Sequence, residues 1–118
     1  MSEGKGAFRV ALADSDAAGG IVSLANPEGV DLIIPVGGVV LDVTTPTTGD
    51  STVDVGIAAD GATSSDTLLD GVDCDAAAAV FSNAAAVKWG ANQFLTASKA
   101  TGAAAGLVGH LYVSYIRE

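Results

Sequence analysis

Hydrophobic and polar residues alternate along much of the chain with a period of two rather than 3.6, the pattern of strands that bury one face. Phe8 to Ala13 starts it, with Phe8, Val10 and Leu12 on one side and Ala7, Arg9 and Ala11 on the other. The segment ADSDAAGG supplies turn residues, and GIVSLAN predicts a second short strand that Pro27 ends. VDLIIPV, from Val30 to Val36, predicts a third. Pro35 has no amide hydrogen to give, which restricts that part to an edge, a bulge or a strand end.

The clearest alternation lies in GGVVLDVTTPTTGDSTVDVGIAADG. Val39, Leu41 and Val43 share one side of its first arm, and Val53, Val55 and Ile57 share one side of its second. Pro46 and Gly49-Asp50 sit between them, so the expectation is a β-hairpin. Beyond Ser64 the period fades. A short helical turn over Asp66 to Asp70, capped by aspartate, is expected inside a long irregular connection, because Gly71, Asp73 and Asp75 interrupt anything longer. A strand near Ala79 to Phe81 or Ala85 to Trp89 follows, and then one over Gln93 to Ser98.

Leu107 to Arg117 is the strongest strand. Leu107, Gly109, Leu111, Val113 and Tyr115 fall on one side, and Val108, His110, Tyr112, Ser114 and Ile116 on the other. Bulky residues on both sides predict a central strand, or one covered on both faces. Short strands separated by Gly, Pro and Asp turns define the fold class: all-β, an antiparallel β-sandwich or a jelly-roll or barrel-like domain with long loops and at most one short helix. Residues 8–118 form one β domain, and residues 1–7 are expected to be a flexible arm.

Composition adds two constraints. The apolar half of the chain is rich in alanine and holds only six aromatics, so the core is modest and gains from packing against other subunits. Eleven aspartates and three glutamates face five basic residues, for a net charge of -9. Such a charge argues against nucleic acid and anionic membrane surfaces as partners. The N-terminal MSEGKGAFRV has no apolar run of signal-peptide length, and no segment is long and apolar enough for a membrane span.

Candidate chemistry is sparse. The stretch DGATSSDTLLDGVDCD packs five aspartates and the single cysteine, Cys74, into residues 60–75. Its spacing is not that of an EF-hand, but Asp66, Asp70, Asp73 and Asp75 are calcium candidates through their hard oxygen ligands. The competing expectation is a solvated acidic loop. Cys74 and His110 make the one nucleophile and base combination, and nothing nearby in sequence activates either. No cofactor motif is present. Trp89 is a candidate for the core, for a subunit interface or for stacking on a carbohydrate.

The hairpin and its sequel, VVLDVTTPTTGDSTVDVGIAADGATSSDTLLDGVD, together with the terminal GHLYVSYIRE, resemble the small head-decoration or cement proteins of tailed double-stranded DNA viruses. The likeness spans residues 39–73 and 107–117 and consists of strand and turn patterns. The resemblance implies a β-rich, non-enzymatic subunit on the outer surface of an assembled capsid, commonly a homotrimer, with the major capsid protein as partner. On that reading the arm residues Ser2, Glu3, Gly4, Lys5, Gly6 and Ala7 contact the capsid. Trp89, Leu111, Tyr112, Val113, Tyr115 and Ile116 are the subunit-interface candidates. The alternatives are a tail or fibre component, a carbohydrate- or surface-binding β module and, with the least support, a small hydrolase.

Overall fold

In the computed structural model, which describes residues 5–75 and 79–117, the chain is a sandwich of two antiparallel sheets with no helix among those residues. Ten strands build it: β1 (Lys5–Ala11), β2 (Val22–Ala25), β3 (Leu32–Ile34), β4 (Val39–Thr45), β5 (Ser51–Ala58), β6 (Leu69–Asp73), β7 (Ala79–Ser82), β8 (Val87–Trp89), β9 (Phe94–Gly102) and β10 (Val108–Arg117). One sheet holds β2, β9, β5 and β6 in that order; the other is organised around β10.

β10 is central, as its length and apolar content require. On one side it pairs with β1 over Lys5↔Ile116 to Ala11↔His110. On the other its partner changes along its length: β4 from Val108 to Val113, then β3 at Ile116 and Arg117. The sheet therefore forks, with β7 beyond β4 and β8 beyond β3. Pro35 ends β3 at the fork, where its lost donor costs no ladder bond, and the Ser114 amide bridges the gap to the Gly38 carbonyl at 2.7 Å.

The core is the space between the sheets. Val39, Leu41, Val43, Leu111 and Val113 enter it from one side, and Val53, Val55, Leu95 and Ala97 from the other. Trp89 is fully buried, its indole N–H donating to the Gln93 carbonyl at 3.0 Å. Phe8 packs between Trp89 and Tyr115, with ring centroids 6.4 and 6.3 Å away.

Three expectations are corrected. The two arms around Pro46 are strands but not a hairpin, since β4 pairs with β10 and β7 while β5 pairs with β9 and β6. The turn between them is an arch from one sheet to the other. It lets Val39, Leu41 and Val43 bury against Val53 and Val55 instead of lying beside them. Backbone bonds from Thr47 to Cys74 and from Thr48 to Ala105, both 3.0 Å, anchor it.

The helical turn at Asp66 to Asp70 is absent, because Leu68 and Leu69 are buried and Leu69 opens β6 against β5. Lys5, Gly6 and Ala7, expected in a flexible arm, belong instead to β1, paired with Ile116, Tyr115 and Ser114. Ser2, Glu3 and Gly4 lie outside the described residues. Of the two alternatives expected for β10, the central strand holds, and its second face meets solvent at Val108, Tyr112 and Ile116.

Candidate protein-docking face

The outer faces of the two sheets are treated differently. On β9, Leu95 and Ala97 point into the core while Thr96 and Ser98 point away from it, yet all four are buried. Loops cover the outward pair. The Thr96 hydroxyl donates to the Thr63 carbonyl at 2.8 Å, and Ser98 Oγ accepts from the Gly19 amide at 2.7 Å. Asp60 caps its own turn, accepting from the Ala62 amide and the Thr63 hydroxyl, which holds its carboxyl below the usual aspartate range. Thr67 Oγ1 accepts from the Ile57 amide, and Gly56 leaves the room this loop needs against Ser65 and Thr67. Half of the acidic stretch that opens at Asp60 is thus a lid on the second sheet.

The outer face of the β10 sheet has no comparable cover among the described residues. Cross-strand register lays out rows on it. Val80, Asp42, His110 and Ala11 form one, and Ser82, Val40, Tyr112 and Arg9 the next. Beyond the fork the row is Lys88, Ile33, Ile116 and Lys5. Large apolar side chains are left in water here: Val108 is 51% exposed, Tyr112 39%, Ile116 41% and Val80 61%. The His110 and Tyr112 rings are neighbours, 6.2 Å apart. At the fork Lys5, Ala7, Pro35, Ser114 and Ile116 help line an open groove of about 510 Å³. Solvated single hydrophobes are ordinary, but several on one uncovered sheet face, interspersed with Asp42, His110 and Ser82 and bordered by Lys5 and Arg9, suit a protein-binding surface.

This geometry divides the six interface candidates. Tyr112 and Ile116 are on the open face. Trp89 on β8 and Leu111, Val113 and Tyr115 at inward positions of β10 are buried in the core, although Tyr115 also lines the groove at the fork. Buried there, Trp89 is unavailable for stacking on a sugar. Val80 and Val108 were missed from the sequence. Val108 is visible in the alternation, as the outward residue that begins β10.

The calcium candidates do not assemble. Among the described residues no group of three or more His, Cys, Asp or Glu side chains is placed to hold a metal. Asp66 is in the loop before β6 and Asp70 on its exposed side. Asp73 and Asp75 lie near Asp50 of the arch, and hydrogen bonding with Asp73 and Asp50 pushes the Asp75 carboxyl up to about 6. Crowding of these carboxylates favours a proton on Asp75 only as pH falls below about 6, and Asp73 is exposed to water. Gly71, with φ of 63°, takes the bulge that separates Asp70 from Asp73 and gives its amide to Asp54 Oδ1 at 2.7 Å.

The nucleophile and base combination also comes apart. Cys74 is fully buried, and burial together with Asp73 and Asp75 pushes its thiol up to about 11. His110 is on the outward side of β10, separated from Cys74 by the sheet itself.

Comparison with family models, with curated proteins and with solved structures gives no match in any of the three.

Proposed function

We propose that the chain is a non-enzymatic structural protein of a virion. It binds the outer surface of an assembled capsid and stabilises contacts between capsomers, as a decoration or cement protein. Its partners are the major capsid protein and further copies of itself, most simply in a trimer. It is made in the host cytoplasm and ends on the outer capsid surface.

One observation supports this reading: loops cover the Thr96 and Ser98 region of one sheet, whereas the outer face of the other is left open with Val80, Val108, Tyr112 and Ile116 exposed. Burying such a face against a partner contributes about 25 cal/mol per Å² of apolar area, less the entropy lost on association. Repetition on a shell multiplies it, because a subunit held at two points binds the second at high effective concentration. The burial of Cys74, away from His110, supports the non-enzymatic part.

Co-sedimentation with assembled capsids of the virus that carries the chain tests the proposal. Saturable binding at a fixed ratio to capsomers is expected. Purified protein that stays in the supernatant at every concentration refutes it.

A further inference from the structure

The sheets have five strands at their margins: β2 and β6 in one, β1, β7 and β8 in the other. Four are unsuited to accepting another strand. β2 and β7 have four residues each and β8 three, while β6 is broken by the bulge at Gly71. Bulges and short strands are how proteins blunt such edges. β1 is different. It runs seven residues without proline or register shift and pairs with β10 alone among the described residues.

The Leu12 amide donates to the Gly109 carbonyl at 3.0 Å, which fixes the alternation along β1. Val10, Phe8 and Gly6 then exchange hydrogen bonds with Leu111, Val113 and Tyr115, and the Ala7 and Arg9 amides point at the open edge. Side chains divide in the same way. Lys5, Ala7, Arg9 and Ala11 are exposed on the outer face, whereas Phe8 and Val10, on the core side, are only half-buried.

We propose that β1 is an acceptor for an extended segment of another protein in which acidic and apolar residues alternate. Such a strand completes the ladder at Ala7 and Arg9, sets carboxylates opposite Lys5 and Arg9, and lays apolar side chains over Phe8 and Val10. A second copy of the chain does not fit. Its β1 would gather four cations on one face, opposite or diagonal at about 4.5–8 Å, and like charges at those positions are destabilising. The cations therefore reject the chain's own edge and select an acidic one. This holds whether or not the partner is a capsid.

The probe is a seven-residue peptide alternating aspartate and valine with both ends blocked, read by amide hydrogen exchange on the full chain. Exchange at Ala7 and Arg9 should slow by about tenfold or more at saturation. The same peptide with lysine in place of aspartate, or N-methylated at every second residue, should leave exchange unchanged. In a folded Lys5→Glu, Arg9→Glu double variant the preference should invert toward the lysine peptide. No slowing at millimolar aspartate peptide, equal protection by the N-methylated peptide, or the same preference in the charge-reversed variant would each overturn the proposal.

Discussion

Tyr115 donates a 2.6 Å hydrogen bond to Glu28 Oε2, and the same oxygen accepts from Arg117 Nη2 at 2.9 Å. Arg117 Nε bonds the other carboxylate oxygen at 3.1 Å, and its Nη1 reaches the Lys5 carbonyl. One glutamate thus ties the β2–β3 turn to the end of β10, and through Arg117 to the start of β1. Asn26 shapes that turn, accepting from the Glu28 and Gly29 amides and donating to Val30, Trp89 and Gly90 carbonyls.

Arg117 and Tyr115 hold the Glu28 carboxyl below its usual range. A lowered folded-state value means this stabilisation is present above about pH 4.3, the unfolded value, and is lost as pH falls through the folded one. Glu28→Gln should lower the thermal midpoint at pH 7 by a few degrees, with the difference shrinking below about pH 4. Melting curves of both proteins between pH 3 and 7 check it.

Asp75 has the opposite sign. Its carboxyl titrates at about 6, above the ordinary aspartate value, so the folded state is favoured below that ordinary value and loses the contribution as pH rises through about 6. Asp75→Asn should therefore raise the midpoint at pH 7.5 and have little effect at pH 4. Denaturant titrations at the two pH values separate the outcomes.

Leu111 and Tyr112 are consecutive residues on opposite faces of β10. Leu111→Ala empties a fully buried site and should cost about 2–5 kcal/mol. Tyr112→Ala should stay within about 0.5 kcal/mol of the parent, as surface changes do. Chemical denaturation measures both.

Cys74 should resist thiol-specific reagents at pH 8 in the folded protein, since burial and two nearby carboxylates disfavour the thiolate. Labelling should appear only with unfolding. Rapid modification under native conditions would show that the Thr47–Cys74 junction opens.

Strands were legible in the sequence because side-chain alternation is a local property: β4, β5 and β10 fall where they were expected, whereas β1 begins three residues before Phe8 and β9 runs four residues past Ser98. Partners were not legible. Pro46 and Gly49-Asp50 have the chemistry of a tight turn, and that chemistry serves an arch as well as a hairpin. What decides between them is the supply of distant strands β9 and β10, which no window around the turn contains. For the docking face, alternation separated inward from outward residues on β10 correctly, yet it could not say which outward residues loops would cover. Thr96 and Ser98 are hidden by Thr63 and Gly19, distant in sequence, whereas Tyr112 and Ile116 are left open.

In the proposed assembly the open face of the β10 sheet, rather than the loop-covered sheet, meets the partner. Hydroxyl-radical footprinting of the protein free and bound to capsids addresses it most directly. Val108, Tyr112 and Ile116 should become protected on binding, while Ser23 and residues 60–67 keep their reactivity. Protection confined to the loops over the second sheet, with Tyr112 as reactive bound as free, would contradict it.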